Sequence, residues 1–189
     1  MPFVATTLTA AMVLGPTAAL WPAAGVHSTT VTVDEHFGPA SQAPYTAVTH
    51  DPAAVPVGAR VVVTERRHEG GGTTVALRLE GVQKNRTFGA HVHSKPCGAK
   101  PADSGPHYQD VLDPKQPSTD PKYANPRNEV WLDLTTDEDG DGRSRAAQRW
   151  HFRYGEARSV VVHEHKTETE PGHAGMAGAR LACVNVPFA

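Results

Sequence analysis

Apolar residues recur at every second position through much of this chain. In residues 73–80, Val75, Leu77 and Leu79 alternate with Thr74, Ala76, Arg78 and Glu80, the period of an antiparallel strand with one solvated face. A valine-rich strand at 60–65 precedes it and runs on through Arg66-Arg67-His68-Glu69. The Gly70-Gly71-Gly72 triplet between the two marks a hairpin. Similar signals predict strands at 45–49, 86–92, 129–135, 148–153, 159–164 and 179–186, and Val130, Leu132 and Leu134 alternate within 129–135. Asp139-Gly140-Asp141-Gly142 reads as a turn. No segment sustains the 3.6-residue period of an amphipathic helix. The interval 95–128 is rich in Pro, Asp, Lys and Gly, with almost no apolar pattern; a loop of that length is usually functional. The pattern predicts an all-β sandwich with one long loop.

The first residues have another character. Residues 1–33 contain no Asp, Glu, Lys or Arg, and Ala23-Ala24-Gly25 offers small residues of the kind a signal peptidase accepts. Gly15-Pro16 and Trp21-Pro22 break the apolar run, so it spans a bilayer poorly. A cleaved signal peptide at 1–27 fits better, although its charged n-region is missing; an Ala-rich leader is the alternative. Residues 28–44 read as a linker that could hold a strand at 29–33, and 45–189 as the folded domain. A chain of 189 residues suffices for one sizeable core. No later segment is apolar for long enough to cross a membrane, so no transmembrane helix is expected after processing.

The net charge of −2 comes from interspersed acids and bases, which excludes a nucleic-acid footprint. The two cysteines, Cys97 and Cys183, are an even number in a chain that reads as exported. If paired, they close a loop of roughly 86 residues, on the order of 4 kcal/mol in chain entropy; two free buried cysteines are the other reading. Eleven histidines are many for this length, and histidine is the commonest metal ligand. His91 and His93 stand two apart in a strand-like segment, so both imidazoles project from one face. That spacing alone is a weak metal signal.

The wider pattern is specific. Gly89-Ala90-His91-Val92-His93, nearby Cys97, Gly105-Pro106-His107-Tyr108, Val160-Val161-Val162-His163-Glu164 and Gly178-Ala179-Arg180-Leu181-Ala182-Cys183 follow in this order. From about Arg60 to the C-terminus the chain resembles the copper/zinc superoxide dismutase family. The resemblance implies a Greek-key β-sandwich, a flattened barrel, with one long active-site loop; the family is itself a standard example of the sandwich architecture. It implies copper ligands His91, His93, His107 and His163, with His107 the histidine that bridges to zinc in the family. It also implies a Cys97–Cys183 disulfide and superoxide as substrate, attracted by Arg180. His107 would leave the metal on reduction and supply a proton when it rebinds.

Two departures qualify that likeness. Zinc-binding members place two more histidines and an aspartate after Gly-Pro-His, whereas no histidine lies between Tyr108 and Val130. A usual zinc site is therefore not expected, and the chain is closer to the copper-only branch. Family enzymes also carry a longer charged loop after the last ligand, with an aspartate four residues beyond it; here that position is Thr167, followed by Glu168. Without zinc, another acceptor should orient His107. Glu129 is the candidate, with Glu168 and Asp110 as rivals. His165 and His173 read as surface residues or as an extension of the site.

The expected function is copper-dependent dismutation of superoxide, secreted or in the cell envelope. The alternatives are a copper-buffering module with little turnover and a metal-free structural sandwich. The sequence assigns no oligomeric state.

Overall fold

Ten strands make two sheets among the residues that the computed structural model describes, which are 1–2, 28–42 and 44–189. They are β1 (Thr29–His36), β2 (Gly38–Pro39), β3 (Ala47–Thr49), β4 (Arg60–Arg67), β5 (Thr73–Glu80), β6 (Thr87–His93), β7 (Leu134–Thr135), β8 (Gly142–Gln148), β9 (Ser159–His163) and β10 (Arg180–Asn185). One sheet has the order β1-β4-β5-β8, the other β2-β3-β10-β9-β6-β7. All pairings are antiparallel except β2 with β3. The architecture is a β-sandwich, and the two sheets stay separate rather than closing into a barrel. The only helical element among the described residues is a single 3-10 turn, Pro101–Ser104. None of their helices is long and apolar enough to cross a membrane. The leader expected at 1–27 falls almost entirely outside the described residues.

The core lies between the sheets. Val61, Val63, Val75, Leu77 and Leu79 face Phe88, Ala90, Val92, Val160, Val162, Ala182 and Val184, all buried. Each larger apolar side chain contributes roughly 1.5–3 kcal/mol relative to exposure. Because side chains alternate, the same strands turn a second set outward from the six-stranded sheet. On β6 that set includes His91 and His93; on β9 it includes Val161 and His163. One outer face thereby carries the imidazoles and, beside them, the apolar cluster of Val48, Val161, Cys97 and Cys183.

Three expectations need correction. The strand allowed for at 29–33 is longer than that: β1 pairs along its full length with β4, from Thr29 opposite Arg67 to His36 opposite Arg60. The strand expected at 148–153 lies upstream, as β8. Trp150 and Phe152 attracted the strand reading because aromatics favour strands, but they pack around Tyr108 and Phe188 from irregular chain. The true strand was inconspicuous because its inward residues are Gly142, Ser144, Ala146 and the polar Gln148, none of them a large apolar side chain. In 129–135 the alternation holds, with Val130, Leu132 and Leu134 buried, yet regular pairing is confined to β7. Upstream of β7, isolated contacts stitch the segment to β6, such as Leu132 N–H to the Ala90 carbonyl at 2.7 Å.

Candidate metal centre

β6 aims His91 and His93 outward, and β9 brings His163 alongside, since Gly89 lies opposite His163 and His91 opposite Val161. The long loop delivers His107. Its backbone bridges to His93, with Tyr108 N–H donating to the Val92 carbonyl at 2.8 Å and Ser94 N–H to the Pro106 carbonyl at 3.0 Å. The Cys97–Cys183 disulfide ties that loop to β10. Cys97 N–H also donates to Asn185 Oδ1 at 2.7 Å, and Ser159 Oγ to the Lys95 carbonyl at 2.8 Å. A loop fixed at this many points holds its histidine in place.

The four imidazoles converge. One ring nitrogen from each of His91, His93, His107 and His163 falls within 4.8 Å of the others, the sole such His/Cys/Asp/Glu group found among the described residues. His165 and His173 are exposed and stand outside it. Three of the rings have their Nδ1 engaged. His93 Nδ1 lies 2.9 Å from the Gly105 carbonyl, His163 Nδ1 3.5 Å from the Gly178 carbonyl, and His107 Nδ1 2.8 Å from Glu129 Oε2. Their Nε2 atoms are left for the centre, where those of His93 and His163 approach to 3.3 Å. His91 is reversed: its Nε2 meets Thr167 Oγ1 at 2.7 Å, while its buried Nδ1 has no hydrogen-bond partner.

An unpartnered buried nitrogen costs on the order of 1–3 kcal/mol. His91 Nδ1 is such a nitrogen, and with the Nε2 atoms of the other three rings converging on it the group could hold a metal ion; imidazole suits copper or zinc. Electrostatics agree. Complete burial, then the neighbouring imidazoles and Arg180, holds His91 and His93 well below the usual imidazole range. Burial, then His107, pushes His163 down to about 3. The three rings are therefore neutral near pH 7, the state that ligates metal.

Glu129 is 1 % exposed. Besides His107 it accepts from Trp131 Nε1 at 2.7 Å and from Gln109 Nε2 at 2.8 Å. The His107 Nδ1 contact goes to Glu129 and to neither rival: Glu168 faces His173, and Asp110 donates its backbone N–H to the Asn128 carbonyl. Arg180 donates from Nη1 to the Pro101 carbonyl and to Ser104 Oγ, and lines a cleft of about 420 Å³ that opens on His107 and His163. Its position depends on a register shift in β10, a β-bulge between Arg180 and Ala182. Without the bulge Arg180 would share the inward face of Ala182; with it, Arg180 stands opposite His163.

Asp133, Trp131 and Gln109 also belong to this site and were not singled out from the sequence, and Thr167, noted there only as replacing the family's aspartate, contacts His91. A signal existed for two of them: if Val130, Leu132 and Leu134 point inward, then Glu129, Trp131 and Asp133 share the outward face.

Comparison with known proteins follows the same lines. The sequence profile of copper/zinc superoxide dismutase (SODC) matches residues 57–186. No curated protein sequence matches the chain. Among solved structures, a double mutant of a SOD-like protein from Bacillus subtilis is 14% identical with a TM-score of 0.52, over 68% of this chain and 88% of its own. The clock protein EA4 is 17% identical with a TM-score of 0.53, over 87% of this chain and 96% of its own. At such identities the structures show a common fold. The profile match extends over most of the sandwich and includes all four converging histidines, and on that ground the chain belongs to the copper/zinc superoxide dismutase family.

Proposed function

We propose that this chain binds one copper ion through His91 Nδ1 and the Nε2 atoms of His93, His107 and His163, and dismutes superoxide outside the cytoplasm. The observation that carries the reading is the buried, unpartnered His91 Nδ1 facing three rings whose other nitrogens are engaged. Bound copper would supply a one-electron couple, by which two superoxide anions become oxygen and hydrogen peroxide with uptake of two protons. The chain's own groups do the rest. Glu129 holds the His107 proton at Nδ1 and keeps Nε2 directed inward. Arg180, a permanent cation, draws the anion into the cleft by charge-assisted hydrogen bonding. The family and the charge of Arg180 support superoxide as substrate.

The same reading places the chain in the copper-only branch. His107 Nδ1, which would face zinc in zinc-bearing relatives, is taken by the Glu129 carboxylate. The disulfide is compatible with an extracytoplasmic location, and residues 1–27 would serve as the export signal.

Metal analysis of the purified protein, paired with a dismutase assay after copper loading, tests this. We expect about one copper and much less than one zinc per chain. His93→Ala should lose copper and activity while the sandwich stays folded. Tight zinc beside the copper would overturn the copper-only assignment. Copper held without turnover would favour the buffering module, and a protein that takes no copper would sink both.

Arg180 has a separate expectation. Among residues 164–180 the only other Lys or Arg is Lys166, so Arg180 carries most of the local attraction. Arg180→Ala should slow turnover about tenfold or more. Arg180→Glu should be slower still, with a rate that rises with salt as screening weakens repulsion. Equal rates and equal salt slopes for the three proteins would remove Arg180 from substrate guidance.

A further inference from the structure

The segment 164–178 contributes none of the four imidazoles, yet it reaches beneath one of them. Thr167 is 5 % exposed, with Oγ1 2.7 Å from His91 Nε2. Its hydroxyl donates to Asp133 Oδ1 at 2.6 Å, and its backbone N–H donates to Asp133 Oδ2 at 2.9 Å. Ala90 N–H gives Asp133 Oδ1 a third, longer bond at 3.3 Å. Asp133 itself stays 4.0 Å from His91 Nε2, so it reaches the ring through the hydroxyl.

Proton counting sets the direction of each bond. A carboxylate only accepts and a hydroxyl has one proton to give. The Thr167 proton therefore goes to Asp133, and the free lone pair of Oγ1 takes the Nε2–H of His91. That leaves a bare lone pair on His91 Nδ1, the atom without a partner at the centre of the cluster.

Close packing puts the segment there. A Cβ on Gly89 would lie 2.6 Å from the His165 carbonyl oxygen and 2.7 Å from Ala177 Cβ, so only glycine lets 164–178 rest on β6 at this point.

We infer that Thr167 and Asp133 form a positioning relay that fixes His91 in its Nε2–H tautomer and makes Nδ1 a stronger donor to the metal; the metal half of this inference rests on the copper reading above. A threonine hydroxyl thus stands between an acidic group and a ligand, and ties the order of 164–178 to the centre.

Thr167→Val keeps the shape and removes only the hydroxyl, leaving His91 Nε2–H without its acceptor and cutting its link to Asp133, which keeps its backbone bonds from Thr167 and Ala90. Thr167→Ser restores the group. The first measurement uses metal-free protein: nitrogen–proton correlation spectra of the imidazoles. Wild type and Thr167→Ser should show His91 as the Nε2–H tautomer, and Thr167→Val a mixture or the Nδ1–H form. The second is Cu(II) affinity by competition with a chelator, with the copper EPR spectrum. Thr167→Val should lose about 10- to 100-fold in affinity with altered hyperfine coupling, and Thr167→Ser should match wild type. Should Thr167→Val fail to fold, Asp133→Asn reads the same relay. Unchanged tautomer and affinity in Thr167→Val overturns the inference. If the wild-type chain takes up no copper, the copper reading falls and the metal half with it, while the metal-free spectra still decide the relay.

Discussion

Metal-free protein is expected to lose stability steeply as pH falls from about 7 towards 5. The cause is the buried trio His91, His93 and His163, held below the usual imidazole range first of all by burial. In the unfolded chain these rings titrate near about 6.5. Below that value the unfolded state binds protons that the native state refuses. Stability then falls with pH, because its slope follows the excess of protons bound by the unfolded chain. For His163, with a folded value of about 3, the loss at pH 5 is about 2 kcal/mol and continues down to that value. His91 and His93 act in the same direction.

His50, lowered by burial, adds to the loss in the same window, while the carboxylates act in other ranges. Asp113, held low by the Ser118 hydroxyl, and Asp137, held low by backbone N–H groups, withdraw stability only in the carboxylate range. Glu65 works the other way: burial raises it, so its cost appears above its unfolded value. Denaturant midpoints of the metal-free protein across this range provide the check. A flat profile between pH 7 and pH 5 would mean that the rings are not neutral and buried as described.

Reducing the disulfide is the second large effect. Cys97 and Cys183 are 86 residues apart, and releasing a loop of that size costs about 4 kcal/mol in the chain-entropy description. For a chain of this length that corresponds to a fall of roughly 10 °C in thermal midpoint. The effect should also reach the metal centre. Cys97 anchors the start of the loop that carries His107, so reduction should weaken copper binding as well as stability. Thermal unfolding with and without reductant, and a Cys97→Ser, Cys183→Ser double variant, measure both. Two free thiols in unfolded, unreduced protein, or an unmoved midpoint, would refute this account.

Much of the site was legible because strand alternation is local. His91 and His93 share a face by spacing alone. The inward run of Val130, Leu132 and Leu134 leaves Glu129 on the face where it meets His107 at 2.8 Å. The same logic would have found Trp131 and Asp133. Thr167 could not be found this way, because it sits on irregular chain whose contacts depend on what packs against Gly89. Nor could β8, whose small or polar inward residues carry little apolar signal.

The chain by itself determined which side chains could ligate a metal, which cysteines could pair, and which strand faces are buried. These follow from residue chemistry and from a period of two within one strand. The tertiary structure alone decided the rest. It placed β1 on the edge of the first sheet, and it reversed His91 so that Nδ1 rather than Nε2 faces the centre. It also turned Arg180 out of the core through one register shift opposite His163. Register is a relation between strands far apart in sequence, set by hydrogen bonds and packing that no single segment contains, and a slip of one residue moves a side chain to the opposite face.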